Sequence, residues 1–161
     1  VAEAEISIVT LPTVNMYLQD RQATRTPRWR GVTVIHEMLK RGVRVAAAGD
    51  NCRDSFYAYG DHDVVDTFRQ AVRILHLDHP IGLAPLLVSA NPSAIGKLKG
   101  HGWLAVGQPA NGIVFNARTI NEIVSRPHSD RVLIQNGKRV MAAMPDYSEL
   151  WALGQSSVAS I

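Results

Sequence analysis

One acidic position carries the clearest chemistry in this sequence. Residues 45–48 are small and apolar, Gly49 ends the run, and Asp50 follows directly. A buried parallel strand delivers a catalytic acid in this way to the rim of an α/β barrel. An ionised carboxylate is costly to bury there unless a metal ion or a cation compensates its charge. From position alone, Asp50 is either a metal ligand that also moves protons or the cap of a loop or helix, and neither role is favoured.

The loop after this acid holds polar and aromatic side chains that could line a pocket. Asn51, Arg53 and Asp54 would hydrogen-bond a substrate and orient Asp50, or form an ordinary loop with an exposed Arg–Asp pair of little energetic value. Three aromatic residues follow in the same loop: Phe56, Tyr57 and Tyr59. They form either a wall for a planar ring or a lid that packs on the end of the barrel.

Local motifs do not assemble a complete metal site. The sequence has no His-x-His, His-Glu-x-x-His or Cys-x-x-Cys. His76 and His79 have a spacing that metal ligation allows, but a position at a helix end favours interaction with the helix dipole instead. Cys52 is a poor nucleophile candidate because the neighbouring acid disfavours its thiolate form.

The composition indicates a globular protein without a strong charge bias. The 161 residues are 46% hydrophobic and 19% charged, with a formal net charge of +3. The arginines are scattered, so we expect no nucleic-acid partner. No apolar run reaches the roughly 18 residues of a membrane span, and no signal peptide is visible. The single cysteine excludes an intrachain disulfide and fits a reducing compartment, which predicts a cytoplasmic location.

The first hundred residues alternate strand and helix patterns. We predict a strand over 6–11, a polar loop over 15–31, a helix over 32–41 capped by Gly42, and a strand over 43–48. This order is a βαβ unit and predicts a parallel sheet.

A stronger helix pattern follows the acidic loop. One face of the predicted helix contains these apolar residues: Val64, Val65, Phe68, Val72 and Leu75. Asp61 or Asp63 lies near its beginning, where the helix dipole favours a negative charge. Two short helices, over 81–89 and 93–98, are expected around Pro85 and Pro92.

The pattern changes near residue 100. We predict a strand over 112–115, a short helix over 119–125, and two strands over 131–135 and 138–142. The last two flank Asn136-Gly137, a strong signal for a two-residue hairpin turn. The final dozen residues are weakly patterned.

Four segments carry a resemblance to a known family: residues 11–21, 28–43, 49–60 and 107–114. The first resembles the loop after the seventh barrel strand of cytosine deaminases, and residues 49–60 resemble the loop after the eighth. Together they are similar to the cytosine deaminase and isopropylammelide amidohydrolase branch of the metal-dependent amidohydrolase superfamily. The resemblance extends over nearly all of residues 5–145, and the Asp50 loop is its most specific part.

The resemblance implies a fold and a division of the chain. Residues 1–100 would be the C-terminal part of a distorted TIM (β/α)8 barrel, its last two strand–helix units. Residues 101–146 would be returning strands of a small β-sandwich domain, and 147–161 a C-terminal tail. The first six strands would lie upstream, which makes the remaining part of the barrel the expected partner. We expect this segment alone to be inactive, and the whole protein to be a homo-oligomer.

The resemblance also implies a reaction. One divalent metal ion, zinc or iron, would be held by Asp50 and by ligands outside this chain. Asp50 would take a proton from the attacking water and pass it to the leaving nitrogen. Asn51, Phe56 and Gln19 would bind a cytosine-like or aminotriazine substrate. Cytosine deaminases have a second Asp where this chain has Asn51 and a Trp where it has Phe56, so this loop is closer to the isopropylammelide type.

Two other interpretations remain open. The chain could be a truncated, non-catalytic module of the same fold that acts in subunit assembly or binding. It could also be an unrelated small α/β binding domain, which the run of motifs disfavours.

Overall fold

A pair of short parallel strands positions the candidate site. The computed structural model of the protein describes residues 1–127, 130–141 and 148. Strand β1 spans Ile8–Thr10 and pairs in parallel with β2, Val45–Ala47, every residue of which is buried. The parallel pairing confirms the predicted βαβ unit. Both strands are shorter than predicted, because pairing defines their ends and apolar composition does not.

The segment after β1 corrects one sequence prediction. Pro12 ends the strand as expected, but a helix, α1, spans Pro12–Leu18 where a loop from residue 15 was predicted. Proline suits the first helical turn, because its φ is already helical and its missing N–H would have no partner there. Val14 is only 1% exposed, and α1 packs against the long helix α3 described below. The polar loop therefore begins at Gln19.

Two further helices flank β2. Helix α2 spans Ile35–Lys40 and starts later than the predicted residue 32. Gly42, just past its end, has a φ of +73°, the left-handed conformation that ends many helices. Helix α3 spans Val64–Leu75. Its predicted apolar face is buried except for Val64, which is 43% exposed because it lies in the first turn beside the solvent.

The core lies between β2 and the helices around it. It consists of these buried residues: Ile35, Val43, Val45, Ala47, Phe68, Ala71, Val72, Leu75, Leu77, Ala84 and Leu87. A 3-10 helix, Ala84–Val88, and helix α4, Ala90–Ile95, close one side of the core. Helix α4 starts before its predicted residue 93. Pro92 is its third residue, where a backbone N–H has no intrahelical partner to lose.

A second, antiparallel sheet follows in the order β3-β4-β5. Its strands are β3 (Gly112–Val114), β4 (Val132–Gln135) and β5 (Lys138–Val140), and helix α5 (Ile120–Ser125) lies between the first two. Asn136 and Gly137 both have positive φ values, 51° and 75°, which confirms the hairpin turn. Residue 142 and, apart from Ser148, the predicted tail lie outside the described residues. Within the described part of the chain, no helix is long and apolar enough to cross a membrane.

Asp63, at the start of α3, connects this helix with the segment before β4 of the antiparallel sheet. Its side chain accepts hydrogen bonds from the N–H groups of Val65 and Asp66, and it forms a 2.9 Å ion pair with Arg131. Partial burial acts to raise the pKa of Asp63, but the bonds from Arg131 and Val65 outweigh it and hold the pKa below its ordinary value.

Replacing Asp63 should therefore destabilise the protein in two separable ways. Asp63→Ala removes both the cap and the ion pair, and should lower the free energy of unfolding by about 1–2 kcal/mol. Asp63→Asn keeps a capping oxygen and loses only the charge. At neutral pH it should therefore lower the free energy of unfolding by less than Asp63→Ala does. Urea denaturation of the full-length protein measures both.

The stabilisation that the Asp63 charge provides should decrease as the pH falls. Because the folded pKa of Asp63 is lowered, its charge stabilises fully above the unfolded pKa of about 3.9 and less as pH falls through the folded value. The difference between wild type and Asp63→Asn should thus shrink below about pH 4. A constant difference from neutral to acidic pH would contradict this role for the Arg131 pair.

Candidate functional site

The register of the parallel strands brings two loops to one edge. Thr10 is opposite Ala47 at the carboxyl ends of β1 and β2, and the Ala48 N–H donates to the Thr10 carbonyl at 3.0 Å. The segment that holds Gln19 therefore leaves the sheet beside the segment that holds Asp50. We call residues 19–34 the first loop and residues 48–63 the second loop.

Asp50 lies where the sequence placed it, at the carboxyl end of β2, and is exposed. Its φ of 64° is in the left-handed region, which is uncommon for a residue other than glycine and concentrates at functional sites. Its carboxylate makes no hydrogen bond or ion pair within residues 1–127, 130–141 and 148. Asp63 is the cap of α3, so Asp50 does not serve that role.

Asp54 organises the second loop. Its carboxylate accepts hydrogen bonds from the Asn51 side-chain amide and from the N–H groups of Phe56 and Tyr57, at 2.9 and 2.8 Å for the latter two. The Tyr57 N–H, followed by the Asn51 amide, holds the pKa of Asp54 below its ordinary value. Asp54 was expected to pair with Arg53, or to orient Asp50, but Arg53 instead forms a 3.0 Å ion pair with Asp61.

Gly60 closes the second loop by a tight backbone approach. Its N–H donates to the Tyr57 carbonyl, and a Cβ at this position would lie 1.8 Å from the Asn51 carbonyl oxygen. Only glycine fits this contact. The predicted substrate residue Asn51 is therefore bonded to Asp54 through its side chain and lies against Gly60 at its backbone carbonyl.

Three tyrosines connect helix α1 with the second loop. The ring of Tyr17, on α1, has its centroid 5.0 Å from that of Tyr57 and 5.8 Å from that of Tyr59. We call these three residues the tyrosine cluster. The sequence predicted Phe56 as a member of this aromatic group, but Phe56 is 63% exposed and forms none of these ring contacts. Its place in the group is taken by Tyr17, which was not predicted. Tyr17 could have been predicted from its position two residues before Gln19, in the segment that resembles cytosine deaminases.

Gln19 and Asp20 hold the first loop in shape. The Gln19 side-chain oxygen accepts a hydrogen bond from the Gly31 N–H, so this predicted substrate residue contacts its own loop. The Asp20 side chain is only 10% exposed and pairs with Arg25.

The Asp20 carboxylate also accepts hydrogen bonds from two backbone groups across the loop. The Arg28 N–H donates at 2.6 Å and the Trp29 N–H at 3.1 Å. The Arg28 N–H is the main cause of a lowered pKa of Asp20, followed by that of Trp29. Sequence reasoning missed Asp20, because nothing in its type or spacing shows that the loop folds back onto it.

The described side chains at this edge of the sheet supply one candidate metal ligand, Asp50. Among the described residues, no group of three or more His, Cys, Asp or Glu side chains could hold a metal ion. His76 and His79 lie beyond the far end of the 12-residue helix α3 from the Asp50 loop, and the His79 ring is 3.6 Å from Asp78. The exposed carboxylate of Asp50, without a partner in the described ranges, fits one coordination position of a zinc or iron ion.

Comparison with known proteins identifies the family. The sequence profile of the amidohydrolase family matches residues 2–158, so the chain belongs to the amidohydrolase family. Pterin deaminase from Rhizobium rhizogenes strain K84 is 55% identical over 150 residues, which are 93% of this chain and 34% of that protein.

Solved structures give the same grouping. Two crystal structures of 5-methylcytosine deaminase from Klebsiella pneumoniae, with 5-fluorocytosine and with phosphonocytosine, match with a TM-score of 0.69 and 26% identity. Each match covers 88% of this chain and 35% of the other chain. The chain thus spans about a third of the length of these relatives.

These findings confirm the resemblance to a deaminase branch of the amidohydrolase superfamily. They establish a TIM-barrel-related α/β fold at the level of class. The division at residues 100 and 146 stays a prediction, as do the roles of Asp50, Asn51, Phe56 and Gln19.

The contact of Gly60 with Asn51 yields a test of the second loop. Gly60→Ala should displace the loop backbone, at a cost of about 1–3 kcal/mol, and weaken the bonds to Asp54. Hydrogen–deuterium exchange in the full-length protein should then be faster at the N–H groups of Phe56 and Tyr57.

Gly31→Ala is the matched control, because a Cβ at Gly31 meets nothing within 4 Å. It should leave exchange at residues 56 and 57 unchanged. Equal protection of these two amides in Gly60→Ala and wild type would show that the close approach does not hold the loop.

Proposed function

We propose that the full-length protein containing this chain is a hydrolytic deaminase of an amino-substituted, nitrogen-containing aromatic ring. In this reaction the oxygen of water bonds to the ring carbon that carries the amino group. The bond from that carbon to nitrogen breaks, ammonia leaves, and the ring retains the oxygen as a carbonyl. The deaminase relatives and the position of Asp50 support this reaction.

The observation that carries the proposal is the exposed carboxylate of Asp50, which makes no hydrogen bond or ion pair with any residue that the structure describes. A carboxylate that is exposed, unpartnered and fixed at the carboxyl edge can accept the proton of the attacking water and deliver it to the departing nitrogen. We assign Asp50 a second role as a ligand of one zinc or iron ion, with the other ligands outside this chain. Such an ion, when bound, makes water a stronger acid and stabilises negative charge that develops on the ring.

A pterin is the first substrate to test. The relative that acts on a pterin is 55% identical to this chain, whereas the 5-methylcytosine deaminase is 26% identical. This difference favours a pterin over the cytosine-like or aminotriazine ring expected from the sequence. The fused rings of a pterin offer a wide planar face, and the tyrosine cluster places aromatic surface beside the second loop.

The predicted substrate residues take different parts in this proposal. Phe56, with its exposed ring, contacts the heterocycle. Asn51 donates its amide N–H to Asp54 and keeps its side-chain oxygen, which accepts no hydrogen bond in the described residues, for a ring N–H. Gln19 acts through the loop backbone that it holds.

Removing the Asp50 carboxylate should abolish most of the activity. Asp50→Asn keeps the size of the side chain but not its basicity, so kcat for ammonia release from pterin should fall by about a hundredfold or more. The far-ultraviolet circular dichroism of the full-length protein should not change.

Asp78→Asn provides the matched control, because Asp78 is an exposed carboxylate near the opposite end of α3. Its kcat should equal that of wild type. A loss of less than about tenfold in Asp50→Asn would overturn the assignment of Asp50 as the acid–base group.

The bond between Asn51 and Asp54 yields a second test. Asn51→Asp places two carboxylates against each other, and should lower kcat/KM for every substrate by loosening the loop. The double variant Asn51→Asp with Asp54→Asn restores one donor and one acceptor, and should recover much of the loss. A shift of preference from pterin to cytosine in the single variant, with kcat preserved, would contradict the role of the bond between Asn51 and Asp54 in holding the loop.

A further inference from the structure

Gly49, directly before Asp50, lies in a narrow gap beside the start of helix α3. A Cβ at Gly49 would lie 3.2 Å from the Thr67 Oγ1 and 3.3 Å from the Asp61 carbonyl oxygen. Both distances are shorter than the ordinary van der Waals contacts of a Cβ. The φ of Gly49 lies outside the left-handed region, so lack of space, and not backbone conformation, favours glycine here.

The two groups that border this gap are themselves held in place. Thr67 is only 7% exposed, and its hydroxyl donates to the Asp63 carbonyl at 3.1 Å, within the first turn of α3. Asp61 is tied to the second loop by its 3.0 Å ion pair with Arg53. Because both neighbours are restrained, their positions determine where the backbone of Gly49 can lie.

The backbone on both sides of Asp50 is therefore fixed by close contacts. Gly49 precedes Asp50 and lies in the gap, and Asn51 follows it, with its carbonyl oxygen against Gly60. The left-handed φ of 64° at Asp50 turns the chain between these two contacts. The Asp50 carboxylate has no bonding partner among the described side chains, so the backbone sets the point from which it projects.

We propose that Thr67 is a positioning residue for Asp50. Its buried side chain packs against Gly49, and the backbone held in this way keeps the Asp50 carboxylate where it transfers the proton. This inference rests on the proposed function, because it takes Asp50 as the group that moves the proton. A misplacement of 1 Å at a reacting group can lower a rate by about a hundredfold. A shift of a few tenths of an ångström at Gly49 is therefore enough to matter.

The test exchanges the sizes of the two side chains in the full-length protein. Gly49→Ala should lower kcat for ammonia release from pterin by about tenfold and leave KM unchanged, because the methyl group displaces the backbone before Asp50. Thr67→Ala should lower kcat by a smaller factor, since Gly49 loses a contact. The double variant should recover most of the wild-type kcat, because the methyl group at position 49 then occupies the space of the missing hydroxyl.

Two further variants separate positioning from a general loss of stability. Thr67→Ser should retain the wild-type kcat, because a serine hydroxyl in a helix can bond the same carbonyl four residues back. Ser93→Ala removes another buried hydroxyl, which bonds the carbonyls of Leu98 and His101 on α4 and after it, and should leave kcat unchanged. A double variant no faster than the product of the two single losses, or equal kcat losses in Ser93→Ala and Thr67→Ala, would overturn the assignment of Thr67.

Hydrogen–deuterium exchange separates this inference from the proposed function. The Ala48 N–H, one residue before Gly49, donates to the Thr10 carbonyl, so its exchange rate reports on the backbone that leads to Asp50. Exchange at Ala48 should be faster in each single variant and return towards the wild-type rate in the double variant. If wild type released no ammonia from pterin, the deaminase assignment for that ring would fail, and this exchange pattern would still support Thr67. Equal exchange at Ala48 in wild type and Gly49→Ala would overturn the inference whatever the activity.

Discussion

The parallel register of β1 and β2 is the constraint on which the candidate site depends. The pairing of Thr10 with Ala47, extended by the bond from the Ala48 N–H, directs both following segments to one edge of the sheet. Val45 and Ala46 point to opposite faces of the sheet and are 0% and 1% exposed, so β2 is buried on both faces. Asp50 is the first exposed residue after this strand.

Both loops at this edge are held by carboxylates that accept backbone N–H groups. Asp20 does this in the first loop and Asp54 in the second. Such bonds satisfy backbone groups that no helix or strand pairs, and they keep long loops in one conformation. The carboxylates of Asp20 and Asp54 are thereby paired within their own loops. The exposed carboxylate of Asp50, which has no such partner among the described residues, is then available to a ligand.

Much of the fold follows from local sequence signals, because those signals act over short distances. The apolar spacing of α3, the Asn136-Gly137 turn and the strand that ends before Asp50 each depend on a few neighbouring residues. Helix α1 was missed because its seven residues are helical through packing on α3 rather than through propensity. The roles of Asp20 and Asp54 were missed because they depend on loop backbone conformation, including left-handed residues that the sequence does not reveal.

A crystal structure of the full-length protein with a non-hydrolysable pterin analogue would show whether Asp50 acts at the reacting ring carbon. We expect an Asp50 carboxylate oxygen to coordinate a metal ion and to lie about 2.6–3.2 Å from the attacking oxygen or its mimic at the reacting ring carbon. A structure with the analogue bound elsewhere, and with the Asp50 carboxylate directed into solvent without a metal ion, would contradict it.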